Sequence, residues 1–249
     1  MAASAETRQR LDLALVERGL APSRSRARDA IRRGHVTVDG VTEKRPAAAV
    51  GRSAAVAVDD PALQQVSRAG WKLAHALDTF RYDPAGRVAL DIGASTGGFT
   101  EVLLARGAAK VFAVDVGHGQ LHPKLAADPR VVSLEGRNAR DLTAVDVPQP
   151  VEAIVADVSF IPLKLALPAA LGLAAADAWL VALVKPQFEV GPDRIGKGGI
   201  VRDPAAARSS AAAIAGWLGQ SGWRVDGITD SPIAGGDGNR EFLIGARRD

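Results

Sequence analysis

Between residues 87 and 246, short apolar runs alternate with stretches in which apolar positions recur at helical spacing. The runs Arg87–Asp91, Lys110–Asp115, Val131–Leu134, Glu152–Asp157, Ala178–Val184, Trp223–Thr229 and Glu241–Ala246 predict strands. Strands alternating with helices predict an α/β fold with a doubly wound sheet. Only the loop Asp230–Arg240 separates the last two runs, so these two are expected to pair antiparallel. The stretch Val88–Leu104, VALDIGASTGGFTEVLL, shows the unit most clearly. Val88, Ala89 and Leu90 form an apolar strand, Asp91 and Gly93 end it, and Phe99, Val102, Leu103 and Ala105 then follow a helical period.

The pattern differs before residue 62. Leu11, Leu13, Leu15 and Val16 predict a first helix, ended by Gly19. Ser23 is a good N-cap for a second helix, with Ala27, Ala30 and Ile31 inward and Gly34 closing it. Val36 and Val38 alternate with polar residues, and Asp39-Gly40 is a strong hairpin signal. Asp59-Asp60-Pro61 marks a linker, giving expected domains at 1–62 and 63–249. Leu165–Val184 has the length of a membrane span and one charge, Asp177. It is rich in weakly apolar alanine and broken by Pro168, so a span is rejected. Ala174–Asp177 reads instead as a helix end before the next strand.

Composition adds limits. The chain has 249 residues, 47% hydrophobic and 24% charged, which suits an ordinary globular protein. The absence of cysteine excludes disulfides, cysteine-ligated zinc and thiol catalysis, and four scattered histidines argue against a metal site. Met1–Arg10 lacks the apolar core of a secretory signal, so a cytoplasmic location is expected. The net charge is +3, but Arg8–Gly34 alone carries eight arginines against three acids. Arg24, Arg28 and Arg32 recur every four residues as one outward stripe, and Arg26 and Arg33 form a second. Guanidinium groups pair bidentately with phosphate and stack on bases, so this small module is expected to bind RNA.

A strand, a glycine-rich turn and a helix N-terminus form a nucleotide-type cofactor site at the carboxyl edge of a parallel sheet. The candidate contacts are Asp91, Gly93, Ala94, Ser95, Gly97, Gly98 and Phe99. In GASTGG, Ser95 stands where a dinucleotide fingerprint needs its second glycine, and no Gly-Lys-Ser/Thr closes a phosphate loop. S-adenosylmethionine (AdoMet), which has no phosphate, suits this turn, with another nucleotide or an ordinary strand-to-helix turn as alternatives. Asp115 ends the second strand, where a carboxylate can accept ribose hydroxyls. Asn138 and Ala139 follow the third strand, near the expected adenine edge, and Asp157 and Lys185 end the fourth and fifth.

The segment QRLDLALVERGLAPSRSRARDAIRRGHVTVDG resembles the S4-type RNA-binding domain through Arg10-Leu11-Asp12, Ser23-Arg24-Ser25, Gly34 and Gly40. Ser67–Leu73, the DIGASTGGF turn, Ala156–Phe160, Val184–Glu189 and Gly196–Asp203 resemble the TlyA family, which joins an S4-type domain to an FtsJ-like methyltransferase domain. The resemblance implies a Rossmann-like methyltransferase domain and AdoMet-dependent 2′-O-methylation of cytidine in ribosomal RNA. It also implies a catalytic tetrad at Lys72, Asp157, Lys185 and Glu241. Lys185 would either take the hydroxyl proton, with Lys72 as the nearby cation, or only position the 2′-oxygen. Arg10, Arg24, Arg26, Arg28, Arg32 and Arg33 are the expected RNA contacts, ribosomal RNA or subunits the expected partner, and Gly196–Asp203 an expected lid. The competing readings are a non-catalytic RNA-binding protein with a retained cofactor fold, a membrane-lytic protein (some family members are named haemolysins), and an NAD-dependent oxidoreductase.

Overall fold

A computed structural model describes residues 8–60, 63 and 65–248, in two compact units, Met1–Arg68 and Ala69–Asp249. In the first, β1 (Arg8–Arg10) leads into α1 (Leu11–Glu17), followed by α2 (Arg24–Arg33), β2 (Val36–Val38), β3 (Val41–Thr42), β4 (Ala49–Gly51) and β5 (Val56–Val58). The Ser23 hydroxyl caps α2 by accepting from the Arg26 amide, and Gly34 ends the helix at φ 85°. Asp39 and Gly40 both take positive φ, 51° and 81°, and reverse the chain between antiparallel β2 and β3. That double left-handed geometry is why an Asp-Gly pair stands there. Leu11, Leu15, Ala27, Ile31 and Val36 close a small core.

The second unit holds α3 (Ala69–Phe80), β6 (Val88–Ile92), α4 (Gly98–Ala105), β7 (Lys110–Asp115), α5 (Pro123–Ala126), β8 (Val131–Glu135) and β9 (Val151–Ala156). After them come α6 (Leu163–Ala166), α7 (Pro168–Gly172), β10 (Ala174–Val184), α8 (Pro204–Gln220), β11 (Trp223–Asp230) and β12 (Phe242–Arg248). One seven-stranded sheet runs in the order β11-β12-β10-β9-β6-β7-β8. All its pairs are parallel except those of β12, which lies antiparallel between β10 and β11. Leu90, Ile92, Ile154, Leu180, Ala182 and Ile244 face a core shared with Leu163 and Leu167 of α6 and its C-cap and with Ala211, Ile214 and Leu218 of α8. On the opposite face, the Phe80 ring of α3 lies flat against Gly245, where a Cβ would come within 2.6 Å of it.

Ala174–Asp177 departs from the expected helix end: it opens β10, with Ala174 opposite Val151 before the register shifts. Alanine has weak strand preference, and pairing with β9 overrides it. Among the described residues no helix is long and apolar enough to cross a membrane, because Pro168 starts a new helix, α7, and separates it from α6.

Candidate active site

The site grows from the carboxyl ends of β6, β7, β9 and β10. Asp91 is fully buried; its Oδ2 accepts from the Thr100 hydroxyl at 2.7 Å, and its Oδ1 has no partner. Burial pushes its carboxyl up to about 7, against the Thr100 hydrogen bond and with help from the charges of Asp157 and Asp115. Gly93 then turns at φ 80°, with the space of its missing Cβ taken by the Asp157 carbonyl, 2.5 Å away. Only glycine lets β6 and β9 approach so closely there.

Ser95, at φ 47°, aims its amide at Asp115 Oδ2 over 2.8 Å, while the Gly117 amide donates to Oδ1 at 2.8 Å. Asp115 is thus fixed by two donors and keeps acceptor capacity on each oxygen. Glu135 takes three amides, from Gly119, Gln120 and Leu121, at 3.1, 2.6 and 3.0 Å. These bonds hold its carboxyl below the usual range and pin the loop that carries Gln120. Asn138 caps the turn after β8 by accepting from the Arg140 amide at 3.1 Å. The cleft enclosed here measures about 450 Å³; Ile92, Gly93, Ser95, Asp115, Val116, Gln120, Asn138, Ala139, Asp157 and Val158 are among its walls.

Of the expected cofactor contacts, Gly93, Ser95, Asp115, Asn138, Ala139 and Asp157 line this cleft. Asp91, Ala94, Gly97, Gly98 and Phe99 do not: all are buried in the packing behind the turn. Gly97 is a packing glycine, because a Cβ there would run into Leu125 and lie 2.8 Å from Leu121. Arg137 and Arg140, which flank Asn138 and Ala139 in the segment expected at the adenine edge, also line the cleft, whereas Gln120, Ser159 and Phe160 were not among the expected cofactor contacts. Phe160 is the most telling of these. It is 89% exposed, at φ 66°, with its ring centroid 5.2 Å from that of Phe188. An aromatic straight after the strand-end segment Asp157-Val158-Ser159 was the available signal.

Beside the cleft stand two ion pairs. Lys185 Nζ lies 2.7 Å from Asp157 Oδ1 and donates to the Ser159 hydroxyl at 2.7 Å. Lys72 Nζ meets Glu241 Oε2 at 2.5 Å, with both side chains buried. Val184 pairs with Phe242 across β10 and β12, so Lys185 and Glu241 leave adjacent strands at the same edge. The cation expected beside Lys185 is therefore matched by its own carboxylate.

The segment expected to act as a lid, Gly196–Asp203, is not among the cleft walls. The loop is tied instead to buried Asn239, whose amide donates to the Gly199 carbonyl and whose Oδ1 accepts from the Val201 amide, both at 2.9 Å.

The outward arginine stripes also need correction. Asp12 is fully buried, and Arg10, Arg24 and Arg28 converge on it at 2.9, 3.0 and 3.4 Å. Arg10 first, and then Arg24, hold its carboxyl down at about 2. Arg33 pairs with Asp60, and Arg26 donates to the Gln65 carbonyl. The missed feature was the inward acid: a buried carboxylate recruits the nearest guanidiniums. Arg10, Arg24 and Arg28 keep 41–47% of their side-chain surface exposed, so the cluster still faces solvent with excess positive charge.

The profile of the FtsJ-like methyltransferases matches residues 65–248, and that of the S4 domain matches residues 9–56. The chain belongs to the TlyA family of FtsJ-like methyltransferases. Its similarity to the 16S/23S rRNA (cytidine-2′-O)-methyltransferase TlyA of Mycobacterium tuberculosis is 49% identity over 241 residues, 96% of this chain and 90% of the relative. Hemolysin A of Brachyspira hyodysenteriae is 40% identical, covering 94% and 98%. Among solved structures, a Streptococcus thermophilus protein described as a hemolysin superposes with a TM-score of 0.75 at 38% identity, over 98% of this chain and 90% of its own. An S-adenosylmethionine-dependent methyltransferase from Listeria monocytogenes shares the fold at 14% identity, with a TM-score of 0.55 over 74% of this chain and all of its own. This TlyA-family chain is a methyltransferase, built as an S4-type module followed by a Rossmann-like domain.

Proposed function

We propose that this protein transfers a methyl group from AdoMet to the ribose 2′-oxygen of a cytidine in ribosomal RNA. The observation that carries the reading is Lys185, held between Asp157 and Ser159 where the cofactor cleft ends. The RNA substrate follows the M. tuberculosis relative and the S4-type unit.

The cleft residues fit AdoMet. Asp115 has oxygen lone pairs left for two ribose hydroxyls, and Ile92, Val114, Val116, Ala139 and Val158 give apolar walls for an adenine. The turn carries no lysine or arginine, which suits a cofactor without phosphate. The unpartnered Asp91 Oδ1 behind it, together with Asp157, supplies negative charge for a cationic ligand. When bound, AdoMet supplies an activated methyl on a sulfonium.

A 2′-hydroxyl is a poor nucleophile, so alignment and proton removal are the tasks left to the chain. The Lys185 ammonium donates to Ser159 and is ion-paired with Asp157, and it keeps donor capacity for the 2′-oxygen. In this arrangement Lys185 orients the hydroxyl, and the Lys185–Asp157 pair is the nearest acceptor for its proton. Lys72 and Glu241 neutralise each other beneath, and Phe160 offers an exposed face on which a base can stack. The arginines around Asp12 add sequence-independent affinity for RNA.

The test is transfer of labelled methyl from AdoMet to deproteinised ribosomal RNA lacking the modification. The label should resist alkaline cleavage, because a methylated 2′-oxygen cannot attack the neighbouring phosphate. Lys185→Arg separates the two roles: guanidinium stays charged and cannot accept a proton. Retained slow transfer supports positioning, and complete loss with normal AdoMet binding supports proton acceptance.

A further inference from the structure

Three cations of the second unit stand close together in the sequence and take no part in the site described so far. Many arginines of this unit pair with acids: Arg87 with Asp177, Arg106 with Asp78, Arg130 with Asp128, Arg137 with Asp146, and Arg240 with Asp230. Arg194, Lys197 and Arg202 are exposed, and their side chains make no ion pair or hydrogen bond among the described residues. The acids nearest in the sequence are Asp193, next to Arg194, and Asp203, which caps α8 through the Ala205 amide.

These cations sit on a rigid turn. The Gly196 amide donates to the Ile200 carbonyl at 2.9 Å, and the Gly199 amide donates back to Gly196 at 3.1 Å. Gly198 and Gly199 take φ of 80° and 77°, with open space where side chains would stand. Lys197 is thus carried at the tip of a glycine turn whose outer face is bare backbone. Asn239 fixes the base of that turn. Its carboxamide pairs with Gly199 and Val201 as a neighbouring strand would, and only 1% of the residue is exposed.

The same segment reaches the buried ion pair. The Asn239 carbonyl accepts from the Gly235 amide at 2.9 Å, and Glu241 Oε1 lies 2.6 Å from where a Gly235 Cβ would be. Asn239 therefore stands between the basic turn on one side and the Lys72–Glu241 pair on the other. A buried amide that makes two backbone bonds to an exposed loop is costly to leave unpaired, so the turn is held in one place.

We propose that the Gly196–Arg202 turn binds the phosphodiester backbone of the RNA strand entering the active site, with Asn239 as the residue that positions it relative to the Lys72–Glu241 pair. The proposal rests on the methyl-transfer reading above. Phosphate is the chemistry that unpaired lysine and arginine beside bare glycine backbone recognise, and such contacts position a strand without reading its sequence.

The experiment uses the full chain, with a fluorescent single-stranded oligoribonucleotide as the binding probe and AdoMet as a separate ligand. Lys197→Ala with Arg202→Ala should weaken RNA binding roughly tenfold at low salt. It should also flatten the slope of log affinity against log salt by about 1.4, two phosphate contacts fewer on a single strand. AdoMet affinity should stay unchanged, which also shows that the fold is intact, while kcat should fall, because the phosphate contacts that align the strand are gone. Asn239→Ala should keep AdoMet affinity and the salt slope but lower kcat, since the cations remain and their alignment is lost. An unchanged salt slope in the double variant overturns the proposal, as does a kcat in Asn239→Ala equal to that of the parent. If the parent protein binds this RNA but transfers no methyl group to ribosomal RNA, the methyl-transfer reading fails. The salt slope then still decides the phosphate contact.

Discussion

Replacing Asp91 by asparagine removes a carboxyl that the fold holds away from water while nearly keeping its shape and its bond from Thr100. In the folded protein that carboxyl titrates at about 7, against an ordinary value of 3.8. The native state therefore keeps its proton across an interval in which the unfolded chain has lost it. Native stabilisation from this group is complete below pH 4 and is lost as pH rises to about 7. A difference of about three units corresponds to about 4 kcal/mol. The substituted carboxamide does not titrate, so the stability of Asp91→Asn minus that of the parent should rise by roughly that amount between pH 4 and pH 8. Urea unfolding followed by tryptophan fluorescence suits the measurement, because the four tryptophans, Trp71, Trp179, Trp217 and Trp223, all lie in the second unit. Affinity for the cationic cofactor should increase through pH 7 in the parent and stay flat in the variant. A stability difference that is equal at pH 4 and pH 8 would refute the reasoning.

Asp12→Asn should destabilise the first unit at pH 7 by about 1–2 kcal/mol, allowing for water around the half-exposed arginines. Because the Asp12 carboxyl sits low, at about 2, that contribution is present above pH 4 and fades below it. Faster amide exchange at Ala27, Ala30 and Ile31 would register the loss, and unchanged protection would refute it. Phe160→Ala should leave stability intact, since the ring is 89% exposed, but reduce kcat/KM for RNA about tenfold or more through lost stacking. Equal kcat/KM would remove Phe160 from the site. Gly93→Ala places a methyl 2.5 Å from the Asp157 carbonyl and should weaken AdoMet binding at least tenfold, read by calorimetry. Unchanged affinity would mean that the turn yields without cost.

The sheet was legible because its central parallel strands bury both faces and so stand out as apolar runs. The short Asp230–Arg240 connection likewise announced antiparallel β11 and β12. Ala174–Asp177 was not legible, since its strand state comes from β9 beside it and not from its own residues. The arginines of α2 repeat as a solvated stripe would, and only the folded chain shows Asp12 turned inward beneath Arg24 and Arg28. In the second unit the polar residues at strand ends could be named in advance. Their pairing could not: Lys72 and Glu241 lie 169 positions apart, and Asn239 bonds to a loop 40 residues earlier. The anchoring of the Gly196–Asp203 loop was not legible either, because glycine content reports the freedom of a loop and not what holds it.

The most direct test of the account is methyl transfer from AdoMet to purified small and large ribosomal subunits lacking the modification, with ribose methylation mapped by reverse-transcription stops. The account expects a stop at cytidine that disappears with Lys185→Ala while AdoMet still binds. Near-parental turnover in Lys185→Ala, or no transfer to either subunit by a parent protein that binds AdoMet, would contradict it.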